Sequence, residues 1–259
     1  MPAQKYPVVR EEGDGLNGSL WDTGEFSDVK VICQGEQMSL HRAILCRCPW
    51  FKENFEILTG SRYEIKLDRF PPDLIRCLVF FIYTTEIQHQ RLQLSGLIPR
   101  FDHGTFATLY EMGSYFKFPK FKDALIDMGT TSLNQLASSR LSGDRFKKSQ
   151  IDEILAGVKK AYAGSMYKQA ALRSLYVAFF TQHYSKVREV RYFYQAIDPI
   201  PVFTKDMKES LGLSDEEWDN AKGDVKCDAK GGKKNGKKDA SKGGSKDGVS
   251  KGGGSKDSS

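Results

Sequence analysis

Phe26-Ser27-Asp28-Val29-Lys30-Val31-Ile32-Cys33, continued by Gln34-Gly35-Glu36-Gln37-Met38-Ser39-Leu40, is the stretch on which the reading of this chain turns. Val29, Val31 and Cys33 alternate with polar neighbours, Ile32 apart, as on a strand with one buried face. Gly35-Glu36 supplies a tight turn and Met38 and Leu40 resume the alternation, so the stretch predicts a β-hairpin. Working outward, Ile44, Leu45, Cys48, Phe51 and Phe55 recur at helical spacing between Arg42 and Glu56. Pro49 breaks that stretch, which therefore predicts two short helices. Tyr63, Ile65 and Leu67 alternate again and predict a third strand. Pro71-Pro72 suits the first turn of a helix whose Leu74, Cys77, Leu78, Phe81 and Ile82 make an apolar stripe. Leu109, Met112, Gly113 and Phe116 mark a further helix, Phe118-Pro119 stops it, and Phe121, Ala124, Leu125 and Met128 begin the next. Upstream, residues 1–24 are rich in Gly, Asp, Glu and Pro, with Leu20 and Trp21 as candidate anchors, and read as a flexible N-terminal segment.

Past a Ser-rich joint at residues 138–149 the pattern is wholly helical. Ser149 is placed to cap a helix carrying Ile151, Ile154, Leu155, Val158 and Tyr162, with Asp152 near its positive end. Leu172, Leu175, Tyr176 and Phe179 form a second stripe, read as core. Ser214-Asp215-Glu216-Glu217 is a capping-box pattern ahead of Trp218. From Lys222 onward the composition changes to 11 Lys, 10 Gly and 5 Asp, a net +6 that equals the charge of the whole 259-residue chain. Residues 1–221 are therefore formally neutral, and the basic excess belongs to a tail with too little apolar area to offset chain entropy. The tail reads as disordered and solubilising. Its cluster Lys230, Lys233, Lys234, Lys237 and Lys238 also suits weak nucleic-acid contact or nuclear import, diluted by Asp and Gly.

The longest apolar run, Cys77 to Tyr83, is seven residues, against the ~20 that span a membrane. The N-terminus lacks the apolar core of a secretory signal. These features predict an intracellular protein, in nucleus and/or cytoplasm, with no membrane partner. Five cysteines, an odd number set mostly in apolar stretches, argue against a disulfide framework. His41, His89, His103 and His183 show no zinc spacing, and Cys46 and Cys48 on a helix would point about 200° apart. No phosphate-binding glycine loop occurs in the part expected to fold. No catalytic residue, cofactor, metal or small-molecule ligand is expected, and the chain reads as a non-enzyme.

A hairpin, a helix pair, a third strand and a run of helices is an α+β order. Within it, Gly24 to Gly35, Leu40-His41-Arg42-Ala43-Ile44-Leu45 and Cys48-Pro49-Trp50-Phe51 resemble the opening of a BTB/POZ domain, particularly those of filamentous fungi. Ile65-Lys66-Leu67, Phe81-Ile82-Tyr83-Thr84 and Leu109-Tyr110-Glu111-Met112-Gly113-Ser114-Tyr115-Phe116 extend the resemblance, in order, over about residues 20–139. It implies a BTB/POZ fold, a small, mostly three-stranded sheet with a helical cluster, at residues 25–139. A flexible segment (1–24) precedes it, and a helical C-terminal extension (140–221) and a disordered tail (222–259) follow.

The resemblance further implies a homodimer that recruits other polypeptides, as a substrate adaptor holding a cullin and an unknown substrate protein. The alternative is a nuclear or chromatin-associated factor using the basic tail. Asp28, Val29, Val31, Arg42 and Ile44 are the expected dimer or partner surface, with Asp28 near Arg42 as an ion pair. His41 is expected to be a satisfied core histidine. Three departures stand out: Thr84-Thr85 where glycine is frequent, a connection from Tyr83 to Leu109 about ten residues longer than expected, and no following zinc finger or Kelch-like repeat of roughly 50 residues. Ile87, Leu92, Leu94, Leu97, Ile98 and Phe101 in the long connection are expected to pack on the core.

Overall fold

The alternation in the opening stretch becomes the hairpin it predicts. β1 (Val29–Cys33) pairs antiparallel with β2 (Glu36–Leu40), from Val29 opposite Leu40 to Cys33 opposite Glu36. The computed structural model describes residues 16–57, 63–85, 87, 102–138, 146–163 and 169–224. Gln34 and Gly35 carry φ of 47° and 86°, the mirror-image turn whose twist matches a two-residue hairpin. The Gln34 N–H donates to Asp68 Oδ1 at 2.8 Å and ties that turn down. β3 (Tyr63–Lys66) adds in parallel to the other edge of β1, giving the order β2-β1-β3. The crossover between them carries α2 (Arg42–Leu45) and α3 (Pro49–Ile57), split where Pro49 predicts.

α4 (Pro72–Thr84) is more than one apolar stripe. Leu74, Ile75, Cys77, Leu78, Val79, Phe80, Phe81, Ile82 and Tyr83 are all buried, so the helix is covered all round and forms the centre of the core. Part of its cover is α1 (Leu16–Thr23), where the composition predicts a flexible segment. The Trp21 ring packs edge-on against Phe80 and Tyr83, with centroids 6.0 and 5.5 Å away. Leu20 and Trp21, the two anchors named from the sequence, both pack on the core, which corrects the expectation of a flexible segment for residues 16–23; residues 1–15 lie outside the described residues. α4 closes on Thr85 at φ 58°, the left-handed position where glycine is expected.

α5 (His103–Tyr115) begins six residues before the first apolar marker read from the sequence. Asp102 caps it, accepting the Thr105 N–H at 2.7 Å. α6 (Pro119–Ser138) opens on the proline itself, two residues before Phe121, where the sequence begins it. Of the long connection, Ile87 is partly buried against the core, while the apolar residues from Leu92 to Phe101 lie outside the described residues.

Among the described residues the extension forms α7 (Lys148–Tyr162), α8 (Ala170–Gln182), α9 (Tyr184–Val187), α10 (Arg191–Ile197), α11 (Pro201–Leu211) and α12 (Asp215–Asp224). Ser149 does not cap α7. Its N-cap is Lys147, two residues earlier, and Gln150 Oε1 accepts the Lys147 N–H at 2.8 Å. The capping box of α12 forms in both directions, Ser214 N–H to Glu217 Oε2 at 2.7 Å and Glu217 N–H to Ser214 Oγ at 3.2 Å. α12 runs past the expected boundary at residue 222, with Lys222 paired to Asp198 at 2.6 Å. The basic cluster Lys230 to Lys238 lies outside the described residues.

The break at residues 139/140 is a break in sequence only, because α7 and α8 pack on α5 and α6. Gly104 of α5 faces Ala156, and Gly157 of α7 lies under the Tyr176 phenol and the His103 carbonyl. The Tyr176 hydroxyl donates to that carbonyl at 3.4 Å. A side chain on Gly157 would place its Cβ 2.7 Å from the His103 oxygen, and one on Gly129 would meet Phe106 at 2.5 Å. Leu172, Tyr176 and Phe179 are buried in this seam, as core. Cys33, Cys48 and Cys77 are buried free thiols and Cys46 is partly buried. Cys33 and Cys48 donate to the carbonyls of Phe70 (3.1 Å) and Phe116 (3.4 Å). Burial pushes Cys48 up to about 11 and Cys77 to about 12.

Candidate interaction surface

The hairpin brings the start of β1 beside the start of α2, and this corner is where the sequence-predicted residues meet. The Asp28 N–H donates to Leu40 C=O at 3.0 Å, which extends the ladder by one residue and aims the side chain at α2. Its Oδ1 accepts the Arg42 N–H at 2.7 Å, so the carboxylate satisfies an orphan donor of α2. Its Oδ2 lies 3.8 Å from Arg42 Nε, a loose pair in which the two side chains are 50% and 38% exposed. At that exposure an ion pair contributes less than about 1 kcal/mol. The backbone cap is the stronger part of the contact.

Beneath the corner, His41 is buried and fully engaged. Tyr83 Oη lies 2.7 Å from Nδ1 and accepts the His41 backbone N–H at 2.9 Å, while Nε2 meets the Glu25 carbonyl. This set is self-consistent when the Tyr83 hydroxyl donates to Nδ1 and Nε2–H donates to Glu25. Burial pushes the Tyr83 hydroxyl up to about 12, with the Asp28 charge adding to the rise and the His41 N–H opposing it. The histidine is structural: it ties the β1 approach, the α2 start and the α4 end together. Tyr83 and Glu25 are the partners that spacing does not reveal, since a hydroxyl 42 residues away and a carbonyl oxygen leave no local pattern.

Val29, Val31 and Ile44 do not belong to this surface. They are 3%, 0% and 7% exposed, covered by the chain's own core. Alternation identifies residues sharing a face; here the chain itself supplies the covering layer. What remains outside is polar, Asp28 and Arg42, with one exception. Phe26, two residues before Asp28, is 87% exposed, and with Val202 it makes up the exposed large hydrophobics of the described residues. Among the described residues no group of three His, Cys, Asp or Glu side chains is placed to hold a metal ion, and no helix is long and apolar enough to cross a membrane.

Comparison with known proteins agrees with this architecture. Residues 17–133 match the family model of the BTB/POZ domain, somewhat under half of the chain. The match takes in α1, the three-stranded mixed sheet and most of the helical cluster, the fold the motifs imply. Kelch-like protein 40 of Xenopus tropicalis is 35% identical over 78 residues, and that of Mus musculus 33% over 75. Each alignment covers 29% of this chain and 12% of the relative, so the chain spans only a small part of the relatives it matches.

Proposed function

We propose that this chain is a protein-interaction module that associates with a second copy of itself and recruits other polypeptides, without catalysing a reaction. The match of residues 17–133 to the BTB/POZ domain carries this reading. The finer role is substrate adaptor of a cullin-type ubiquitin ligase, which the BTB/POZ resemblance and the Kelch-like relatives support. The likeness to filamentous-fungal members and an intracellular setting, in nucleus or cytoplasm, belong to the same proposal. Asp28 and Arg42 offer a polar spot to a partner. With the extension seated on α5 and α6, a substrate would meet its outer face or the 87–104 connection. Sedimentation at micromolar concentration and pull-down with a cullin N-terminal domain test the two levels. A strict monomer overturns self-association, and no cullin retention at high concentration overturns the adaptor role.

The charge distribution favours a second reading, a nuclear or chromatin-associated factor, because the formal excess of +6 is confined to residues 222–259. Weak nucleic-acid binding that falls steeply with salt and disappears on deleting those residues is its expected signature. Binding that survives the deletion would exclude it.

A further inference from the structure

Phe26 combines two features that folding alone does not reward. Its ring is 87% exposed and its backbone sits at φ 62°, the left-handed region where a bulky side chain is strained. Neighbouring bonds hold that conformation: Ser27 N–H donates to Gly24 C=O at 3.3 Å, Glu25 N–H to Thr23 Oγ1 at 3.3 Å, and the Glu25 carbonyl is engaged by the buried His41. Glu25, next to Phe26, is thereby tied to the buried His41. Two residues on, Asp28 and Arg42 present both signs of charge, each partly exposed.

A partner of one charge would match only half of such a patch. A second copy turned about a twofold axis matches all of it, Asp28 facing the copy's Arg42 and the reverse, with the rings meeting near the axis. From this geometry we infer that Phe26 is the anchor of the contact between two copies of this chain, rimmed by Asp28 and Arg42. The inference rests on the self-association proposed above and adds the residue that supplies most of the affinity. One phenyl ring offers up to roughly 200 Å², against about 800 Å² per partner in a standard interface. Phe26 is therefore the desolvated centre, with flanking surface excluding water around it.

The test compares the full chain with its Phe26→Gly variant by sedimentation equilibrium, and by urea unfolding at a dilution where both are monomeric. Glycine accepts φ 62° without strain, so the variant should unfold at higher urea while its self-association weakens by ~30-fold or more. Equal dissociation constants overturn the inference and leave self-association standing through another surface. A wild-type chain that is monomeric throughout overturns both. A variant that loses association and also unfolds at lower urea assigns Phe26 to folding and overturns the inference. Unchanged association with lost capture of a cullin N-terminal domain assigns the ring to a different partner, which overturns it too.

Discussion

At the hairpin corner the chain is held by polar bonds around a few fixed points, whereas between α5, α6, α7 and α8 it is held by close approach of the helices at glycines. The corner spends a carboxylate, an imidazole and a phenol on orienting α2 and the end of α4, and leaves charges and an aromatic ring in water. The seam uses Gly104, Gly129 and Gly157 to remove volume, so that helices meet with little room for a methyl group. The contrast teaches where change is tolerated. A polar corner loses one bond at a time, while a seam closed against a backbone carbonyl has nothing soft to yield.

The largest expected effect lies in the seam. Gly157→Ala gains helix propensity of up to about 1 kcal/mol. Its Cβ, however, meets the His103 carbonyl and the Tyr176 phenol, and overpacking at such a site should dominate, with a net loss of about 3 kcal/mol. Urea unfolding reads it as a lower midpoint, with Gly104→Ala, whose nearest neighbour would be the Asp102 carboxylate at 3.2 Å, as the milder control. Equal losses at the two glycines would break the comparison. At the corner, Tyr83→Phe removes one hydroxyl and leaves the His41 N–H and Nδ1 unpartnered in a buried setting, for a loss of about 2 kcal/mol in the same measurement. An unchanged midpoint would mean the network contributes nothing to stability.

Two smaller effects sharpen the comparison. Thr85→Gly relieves the left-handed cap of α4 and should stabilise by about 1 kcal/mol, seen as a rise in melting temperature. His183, lying between the rings of Phe146 and Phe179, has its pKa lowered by burial and by Lys186. The unfolded chain therefore binds the proton more readily, and stability should fall as pH drops below about 6.5, levelling off beneath the folded value. His183→Phe keeps the ring and should flatten the melting temperature between pH 7 and 5.5; an unaltered slope would exclude His183 as its source.

The hairpin, the split at Pro49 and the capping box at Ser214 were all legible in local pattern. The parallel seat of β3 was not, because alternation does not say which edge a strand joins. α1 escaped because only two apolar residues, Leu20 and Trp21, anchor it within a polar segment, and the individual helices α9 to α11 escaped within a stretch read only as wholly helical. Val29, Val31 and Ile44 read as apolar, correctly, but pattern alone could not say that this chain covers them itself. Phe26 was not singled out by pattern at all, and the backbone turn at Glu25 and Phe26 is what sends its ring outward.

The sulfur atoms carry a practical consequence. A thiol held near or above 11 inside the core is almost wholly protonated at neutral pH and shielded from reagents, so Cys48 and Cys77 should react only when the surrounding structure opens. Cys77 lies at the middle of α4 and Cys48 between α2 and α3. Their alkylation rates, followed by mass, would time the opening of the innermost helix and of the crossover separately.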